Sequence, residues 1–508
     1  MRRQKVLLVY PPNQLMAIET PRPDGSLGPL YLAAALERAG YETDALDCSV
    51  GGPGDTLEET FYRSVMQENG LTRIGMSYEK IRDFIAAGKY DVIGINSNFT
   101  PQTRMALEVA RAAKEARRDI TVVAGGVNAR NLPDRFLKSG VVDYVVLTEG
   151  ENILPALVRC LSQGQAPSSA VPGIMFLSGG RICTRPLGTG VTYDDLDLLP
   201  FPAWEKLPFE KYDRIASPHG VIASPDQRYA PLMTSRGCPF KCAFCHISLE
   251  KENAADSGGI GNYRMKSVSR VLEEILVLKG LGVKKLYFED DSLLAKKARV
   301  KEIFEWLLGH GLKIADVNGV NLVHFLKGGK GGRPEIDRDY LELLKAGGFD
   351  QIVFPVESAS QRILDTYATA KLDHANLDVI ELVRLAREVG ILCPINMMIG
   401  FPDETEQEMR SSIELGKRLV DAGAPYCTFF IPIPFPGSAL YEIAVRGGHL
   451  DRNFDPDTMN WKRAVMKGTV VPPERVEELR DWGWQTVNTE QHVAERLRQS
   501  TGARWQEK

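Results

Sequence analysis

The chain has 508 residues, 44% hydrophobic and 25% charged, which is the composition of a globular protein large enough for two or three domains. Its 62 basic and 66 acidic residues are spread along the sequence and give a formal charge of -4, which argues against nucleic acid as the main partner. No apolar run approaches the roughly 20 residues of a membrane span. We therefore expect a cytoplasmic protein without a membrane span.

The first 163 residues alternate β-branched runs with helical stretches, which is typical of a parallel sheet covered by helices on both faces. Strands are predicted at Lys5 to Tyr10, Glu42 to Asp47, Asp91 to Asn96, Thr121 to Ala124 and Tyr144 to Leu147. Helices are predicted at Leu30 to Ala39, Glu79 to Ala87, Thr103 to Ala116, Pro133 to Ser139 and Ile153 to Leu161. This pattern predicts an α/β domain of the flavodoxin-like or Rossmann-like type over residues 1–163.

The loops after these strands are the candidate binding segments, because ligands of such sheets bind beyond the carboxyl ends of the strands. The first strand is followed by Pro11-Pro12-Asn13 and not by Gly-x-Gly-x-x-Gly, so a nicotinamide dinucleotide would lack its phosphate-binding loop. The candidate residues in these loops are Asn13, Asn96, Ser97, Asn98, Thr100, Gly125, Gly126, Glu149 and Gly150.

Residues 164–230 are rich in Pro, Gly and Asp, and this composition predicts a connector between domains. Asp195 and Asp197 within it are predicted to be turn and capping residues.

A second alternation of strands and helices covers residues 231–446. Strands are predicted at Leu232 to Ser235, Lys285 to Phe288, Ile314 to Asn318, Gln351 to Val356, Cys393 to Ile399 and Tyr426 to Pro432. Six βα units predict a partial barrel with its functional residues at the carboxyl ends of the strands. Residues 447–508 are predicted to form a helical C-terminal region, with helices at Pro473 to Gln485 and Thr489 to Gln499.

Three cysteines, Cys238, Cys242 and Cys245, stand in the run Arg-Gly-Cys-Pro-Phe-Lys-Cys-Ala-Phe-Cys-His after the first barrel strand. Three thiolates can hold three corners of a 4Fe-4S cluster and leave one iron open to a small molecule. The alternative is a structural zinc site with His246 or a distant residue as fourth ligand, although no second Cys-x-x-Cys arm exists. The other five cysteines are predicted to be buried hydrophobic residues.

This cysteine spacing, with Phe244 just before the last cysteine, resembles the signature of the radical S-adenosylmethionine (SAM) enzymes. The N-terminal domain resembles the cobalamin-binding domain of one large subgroup of that family. Its points of resemblance are Ser26 to Ala33, Asp91 to Ile95, Gly125-Gly126 and Glu149-Gly150-Glu151. The resemblance implies a 4Fe-4S cluster, SAM and cobalamin as cofactors and a low-potential electron donor such as flavodoxin. The first histidine of the chain is His219, so we expect cobalamin to bind without a histidine under its cobalt.

The same resemblance places the contacts to SAM at successive strand ends. These candidate residues are Asp290 and Asp291 after the second strand, Glu357 and Ser358 after the fourth, Gly400 after the fifth and Pro434 after the sixth. The family usually has a Gly-Gly-Glu-like element after the second strand, where this chain has Phe288-Glu289-Asp290-Asp291-Ser292. Which carboxylate meets the SAM ammonium therefore stays open.

Tyr263 and Tyr426 could deliver hydrogen or orient a substrate, but packing is the more common role of such tyrosines.

The activity implied by the resemblance is methyl transfer from methylcobalamin to an unactivated carbon, or phosphorus, of a small metabolite. A carbon without acidity cannot attack the methyl group of SAM, so its hydrogen must first be removed as an atom by a 5'-deoxyadenosyl radical. A cyclase or rearrangement enzyme with the same cofactors is the alternative. A cofactor-binding sensor without turnover is a hypothesis from another class. The short C-terminal region favours a compact substrate such as a phosphonate or phosphinate.

Overall fold

The computed structural model describes residues 4–16, 26–215, 228–316, 318–328 and 334–494. The chain divides into two compact units. The first comprises residues 1–218, 250–260 and 500–508, and the second comprises residues 219–249 and 261–499. Within the described residues, no helix is both long and apolar enough to cross a membrane.

The first unit is built on a seven-stranded sheet whose five parallel strands confirm the predicted fold class. In spatial order its strands are Arg181–Arg185, Ile174–Ser178, Tyr144–Val146, Thr121–Gly125, Val92–Asn96, Lys5–Tyr10 and Glu42–Asp47. Numbered along the chain, the parallel strands have the order 2-1-3-4-5 of the flavodoxin-like folds. The direction of winding reverses between the first and third strands, where Val6 pairs with Val92.

Helices cover both faces of this sheet and bury two apolar clusters, one on each side. The helices are Leu27–Arg38, Tyr78–Gly88, Thr103–Ala116, Val127–Asn131, Pro133–Leu137, Ile153–Ser162, Pro167–Ala170, Phe209–Tyr212 and Ala254–Ser257. A small antiparallel sheet is formed by Asn13–Leu15, Thr72–Ile74 and Ser64–Met66. Asn13 therefore lies in a short strand and not in an open loop.

Residues predicted as a connector extend the first sheet. Ile174–Ser178 and Arg181–Arg185 form an antiparallel hairpin that pairs with Tyr144–Val146. The signal was the Gly179-Gly180 pair between two alternating runs, which favours a two-residue hairpin turn but is hidden by the overall composition. Asp195 accepts a hydrogen bond from the backbone N–H of Asp197, which confirms its predicted capping role.

The second unit contains six parallel βα segments in chain order, as the sequence predicts. One sheet has the strands Tyr229–Leu232, Lys285–Phe288, Lys313–Asp316 and Phe349–Gln351, and the other has Phe354–Glu357, Ile395–Met398 and Cys427–Phe430. The predicted fourth strand is thus interrupted at Ile352 and Val353, and a bridge between Gln351 and Leu392 continues the parallel pairing.

The helices on the outside of this partial barrel alternate with its strands. The longer ones are Val268–Gly280, Lys297–Leu307, Arg338–Ala346, Gln361–Tyr367, Val379–Val389, Glu406–Asp421, Ala439–Arg446 and Pro473–Val487. The helix His246–Glu252 follows the cysteine run. Two-stranded pairs are formed by Ser235–Arg236 with Arg264–Met265, by Lys241–Cys242 with Ala368–Thr369, and by Leu326–Gly328 with Pro334–Ile336.

The C-terminal helix Pro473–Val487 completes the second unit. Asn488 follows it and exchanges side-chain hydrogen bonds with the backbone N–H and C=O of Cys427, at 2.8 and 2.9 Å. The amide side chain thereby satisfies backbone groups of the last barrel strand, which is an edge strand of its sheet among the residues described. The predicted helix at 489–499 lies partly outside the described residues, which end at 494.

Candidate active site

The cysteine loop begins just after the first barrel strand and is fixed at its entrance by backbone contacts. Gly237 has φ +75°, and a Cβ there would lie 2.3 Å from the backbone oxygen of Asn262. Only glycine fits this turn, because a side chain would clash and the conformation is strained for other residues. The N–H of Cys238 donates to the C=O of Gly261 at 3.3 Å.

The remainder of the loop is held by the fourth βα segment. Cys242 pairs with Ala368 in the short antiparallel ladder, and the N–H of Ala243 donates to the C=O of Tyr367 at 2.7 Å. The N–H of Cys245 donates to the C=O of Cys242 at 3.1 Å, which turns the chain toward the helix that follows. These bonds present the three cysteines from one short, fixed segment.

The three thiols share one environment. None of the eight cysteines is in a disulfide; Cys242 is buried, and Cys238 and Cys245 are half-buried. Burial raises the pKa of Cys245 to about 12, and the nearby charges of Cys242, Asp291 and Cys238 add to the increase.

Among the described residues, no three His, Cys, Asp or Glu side chains converge as ligands of a single metal ion would. In a 4Fe-4S cluster each thiolate binds a different iron, so the sulfurs need only surround a common volume. Three thiols outside any disulfide, on one fixed loop, supply the donor set for that cluster.

The two carboxylates after the second barrel strand have different surroundings. Asp290 is 1% exposed and accepts hydrogen bonds from the N–H and hydroxyl of Thr234 and from the hydroxyl of Ser235, the last at 2.5 Å. Asp291 stays accessible and accepts a bond from the N–H of Gly237 at 3.0 Å. Desolvation by the surrounding protein raises the pKa of Asp291 to about 6. Asp290 thus supports the strand ends, whereas Asp291 can meet a ligand beside the cysteine loop.

The fourth strand ends in Glu357 and Ser358, both buried. Glu357 forms an ion pair with Lys371, a residue that the sequence analysis did not single out. Ser358 is held by its neighbours: its hydroxyl lies 3.3 Å from that of Ser412 and accepts from the N–H of Ser360 at 3.1 Å.

The glycine after the fifth strand is explained by packing against the C-terminal helix. Gly400 has φ +103°, and a Cβ there would lie 2.5 Å from Val476. Glu404 is fully buried and accepts hydrogen bonds from the N–H groups of Gly400 and Phe401 at 2.7 and 3.1 Å. Its second oxygen, Oε1, has no hydrogen-bond partner among the described residues, and burial raises the pKa of Glu404 to about 8. Pro434, after the sixth strand, is buried.

A further carboxylate, missed in the sequence, ends the third barrel strand. Asp316 is 1% exposed and accepts bonds from the N–H groups of Gly319 and Val353 at 2.9 and 3.3 Å. Burial raises the pKa of Asp316 to about 7, and within the part of the chain that the structure describes its Oδ1 has no hydrogen-bond partner. The sequence analysis placed Asp316 inside a strand predicted to run to Asn318, whereas the structure ends this strand at Asp316, so its strand-end position emerges only from the fold.

In the first unit, the predicted cobalamin residues gather where the winding of the sheet reverses. Asn96 ends the third strand and pairs with Gly125 at the end of the fourth. A Cβ on Gly28, at the start of the first helix, would lie 3.3 Å from the amide nitrogen of Asn96. A Cβ on Gly125 would meet nothing within 4 Å. The strand ends are therefore lined by glycine and leave open space for a large flat ligand to approach the backbone.

Gly126, in the loop after the fourth strand, packs directly against the loop after the third strand. It has φ +102°, and a Cβ there would lie 2.4 Å from the Asn98 side-chain oxygen and 2.5 Å from the Ser97 carbonyl oxygen. Asn128 donates from its side chain to the hydroxyls of Ser97 and Thr103 at 2.8 and 3.0 Å. Its own side-chain oxygen is buried, and no described residue hydrogen-bonds to it. This tight polar junction and the adjacent open space fit a cobalamin site.

The remaining predicted cobalamin residues surround this junction less directly. Thr100 is buried at the start of a short 3-10 helix, and Gly150 packs so closely that a Cβ would lie 2.9 Å from Leu32. Burial lowers the pKa of Arg130 to about 10, and the charge of Glu149 opposes this change. Glu149 is thus close to a buried guanidinium. Asn13 belongs to the small antiparallel sheet, where it pairs with Ile74.

Comparison with known proteins gives two family matches on this chain. Residues 25–158 match the B12 binding domain, and residues 232–416 match the Radical SAM superfamily. Together they cover the strand-end loops at residues 96–100, 125–128 and 148–151 of the first unit and the cysteine loop of the second, whereas Asn13 lies before the first match.

Curated relatives match over nearly the full length. An uncharacterized methyltransferase of Pyrococcus horikoshii is 28% identical over 489 residues, with 94% of this chain and 91% of the relative covered. The cytidylyl-2-hydroxyethylphosphonate methyltransferase of Streptomyces wedmorensis is 28% identical over 500 residues, with 92% and 86% covered.

Among solved structures, the radical SAM methyltransferase TsrM of Kitasatospora setae, with cobalamin and a [4Fe-4S] cluster bound, aligns with a TM-score of 0.62 at 17% identity. The alignment covers 88% of this chain and 79% of TsrM, and it concerns the fold. With a B12 binding domain followed by a radical SAM domain, this chain belongs to the cobalamin-binding radical SAM enzymes.

Proposed function

We propose that this protein transfers a methyl group to an unactivated carbon, or phosphorus, of a small metabolite. The observation that carries the proposal is the presence on one chain of two sites, the fixed trio Cys238, Cys242 and Cys245 and the glycine-lined strand ends at Gly125 and Gly126. When bound, a 4Fe-4S cluster supplies reductive cleavage of SAM, and methylcobalamin supplies the methyl group.

The residues of the second unit have separate roles in this proposal. The three cysteines hold the cluster, and Asp291 accepts the ammonium group of SAM because it is accessible and tied to the cysteine loop through Gly237. Asp290 positions the loop by accepting hydrogen bonds from the hydroxyls of Thr234 and Ser235, which precede the first cysteine in the chain. We assign Glu357, Ser358 and Pro434 to the wall around the nucleoside, together with the backbone of Gly400, since Val476 fills the space where a side chain at position 400 would stand.

The residues of the first unit hold cobalamin. Asn96, Gly125 and Gly126 line the strand ends that a corrin ring would approach, and Ser97, Asn98 and Thr100 belong to the loop that follows the third strand. This loop contains no histidine, so we propose that cobalt receives a weak ligand or none from the protein.

The substrate class is proposed from the activity for which one relative is named. The Streptomyces wedmorensis enzyme acts on a cytidylyl-linked hydroxyethylphosphonate, and this chain covers 86% of that protein. A compact phosphonate or phosphinate is therefore the first substrate to test. We further propose that a low-potential donor such as flavodoxin supplies electrons in the cytoplasm and that nucleic acid is not a partner.

The deciding experiment follows the methyl group of SAM. Oxygen-free, cluster-loaded protein with cobalamin is supplied with methyl-labelled SAM, a one-electron reductant and candidate phosphonates. Methyl transfer predicts label in the product together with 5'-deoxyadenosine. Deoxyadenosine with no label in any product would indicate the cyclase or rearrangement chemistry, and no SAM cleavage at all would favour a sensor.

A further inference from the structure

The second unit contains a buried ion pair beside the cysteine loop, and its lysine has no role in the proposed methyl transfer. The side chains of Lys371 and Glu357 are only 12% and 7% exposed, and they contact each other directly. The Lys371 ammonium lies 5.9 Å from the centre of the Phe244 ring, and Phe244 stands between two of the cluster cysteines in the sequence.

The backbone on both sides of this pair is strained. Glu357 has φ +66° and Ala370 has φ +61°, and they are two of the three non-glycine residues with positive φ in the described part of the chain. Such conformations cost about 1–3 kcal/mol each and tend to persist where a site requires them. The turn that carries Lys371 follows the strand Ala368–Thr369, which pairs with Lys241–Cys242 of the cysteine loop. The backbone therefore places Lys371 directly after a strand that pairs with the cysteine loop.

The electrostatic surroundings agree with this placement. Burial alone would lower the pKa of Lys371, but Glu357 and the charges at Cys242 and Cys245 outweigh burial and raise it above the usual lysine value. A buried ammonium is costly unless opposite charge surrounds it. Glu357 provides one negative charge, and the three cysteines would provide more as thiolates once they hold the cluster.

We propose that Lys371 is a built-in counter-ion of the iron-sulfur cluster, held in place by Glu357, and that it raises the reduction potential of the cluster. Reduction adds one electron, supplied by an external donor, and the reduced cluster is more negative by one charge. A fixed cation beside it stabilises the reduced form more than the oxidised form, while Glu357 partly offsets this field. The inference rests on the proposed cluster site and concerns a positioning and tuning pair, since neither residue is a ligand of iron.

The test is a redox titration of the cluster without SAM, followed by electron paramagnetic resonance. Replacing the lysine by methionine, Lys371→Met, should lower the midpoint potential by about 59 mV, a tenfold change in the ratio of reduced to oxidised cluster. Lys371→Arg should keep the potential near that of the wild type. Glu357→Gln should shift the potential in the opposite direction, upward, because the cation is then less neutralised.

The matched control is Lys241→Met. Lys241 is exposed on the same short ladder and adjoins Cys242, but side chains of neighbouring strand residues point to opposite faces. We expect this variant to leave the potential unchanged. Iron and sulfide content is measured for each variant, so that a loss of cluster is separated from a change in potential.

Opposite shifts in Lys371→Met and Glu357→Gln would support the proposal, because a purely structural role would disturb the cluster in the same sense in both. An unchanged potential in fully loaded Lys371→Met would overturn it, as would equal shifts in Lys371→Met and Lys241→Met. If Lys371→Met cannot be loaded, a Glu357→Gln potential that stays at the wild-type value or falls would overturn it. These readouts do not depend on methyl transfer, so the proposed activity can fail while the counter-ion role stands.

Discussion

Gly237 donates its backbone N–H to Asp291 across 3.0 Å, and this bond ties the entrance of the cysteine loop to the end of the second barrel strand. The carboxylate that makes the bond stays accessible, and desolvation raises its pKa to about 6. An ionised acceptor therefore stands beside the proposed cluster only above about pH 6. The Asp291 carboxylate thus both orients the cysteine loop and offers a negative charge to a cationic ligand.

Replacing this carboxylate by an amide, Asp291→Asn, should weaken SAM binding to the cluster-loaded protein about tenfold at pH 8, since a charge-assisted bond is worth about 1.5–3 kcal/mol. The amide oxygen can still accept from Gly237, so the loop should keep its shape. Equilibrium dialysis with labelled SAM measures the affinity. The wild-type affinity should fall as the pH drops through 6, and the variant should lack this dependence.

The neighbouring carboxylate provides the contrast. Asp290→Asn should lower the stability of the second unit, because the buried carboxylate accepts from Thr234 and Ser235 and one of its oxygens would become a donor. Equal SAM affinities for wild type and Asp291→Asn would refute the assigned role of Asp291.

Each of Cys238, Cys242 and Cys245 should be needed for the cluster. The substitutions Cys238→Ala, Cys242→Ala and Cys245→Ala should each remove cluster-bound iron and abolish SAM cleavage, because a missing thiolate frees a second iron. Iron and acid-labile sulfide are measured after oxygen-free reconstitution. Cys393→Ala is the control, since that thiol is 2% exposed and lies within an apolar barrel segment. Zinc in place of iron in the wild type would instead support the structural-metal alternative.

The sequence predicted the elements well where a local pattern determines them. The strands Lys5–Tyr10, Glu42–Asp47 and Lys285–Phe288 and the helix Thr103–Ala116 have the predicted bounds, because each is a periodic run between turn residues. The fourth barrel strand was predicted as continuous but breaks at Ile352 and Val353. Such a break depends on the register in which distant strands pair, and the local periodicity of the sequence does not contain that information.

The types of residue at the site could be predicted from the sequence, but most of the side chains that contact them could not. The cysteine trio and the strand-end carboxylates follow from spacing and position, but Lys371 is 14 residues from Glu357 and has no motif of its own. Its place beside the loop depends on the pairing of Cys242 with Ala368. Likewise, glycine at position 400 suggested room for a ligand, whereas Val476 occupies that space from a distant helix.

The glycine pair of the first unit gives a prediction in two parts. Gly126→Ala should destabilise the first unit by about 1–3 kcal/mol, since φ is +102° and the new Cβ would clash with Asn98 and Ser97. Gly125→Ala should leave stability nearly unchanged, because its Cβ would enter open space. If that space receives cobalamin, Gly125→Ala should nevertheless weaken cobalamin binding. Thermal unfolding without ligand and spectroscopic cobalamin titration measure the two effects, and normal cobalamin affinity in Gly125→Ala would place the cofactor elsewhere.

Glu404 predicts how stability depends on pH. Burial raises its pKa to about 8, against the N–H donors of Gly400 and Phe401, which lower it. An acid whose pKa is raised by folding stabilises the protein below its unfolded pKa of about 4.3, and that contribution is lost as the pH rises toward 8. Glu404→Gln removes this titration. As the pH rises from about 4.3 toward 8, the free energy of unfolding of the wild type should therefore fall relative to that of the variant by up to about 5 kcal/mol.

Glu408, on the helix that begins just after Glu404, is the matched control because its pKa is shifted the other way. The guanidinium of Arg362 is the main cause that lowers this pKa to about 2. The stabilising contribution of Glu408 is therefore fully present above its unfolded pKa and lost only as the pH falls toward 2. Glu408→Gln should lower stability by a constant amount between pH 5 and pH 8, where its carboxylate stays ionised. Urea midpoints measured across that range separate a sloping difference for Glu404→Gln from a flat one for Glu408→Gln. A flat difference for both variants would mean that Glu404 is already ionised at neutral pH, and its free oxygen Oε1 would then have to be satisfied by water or ligand.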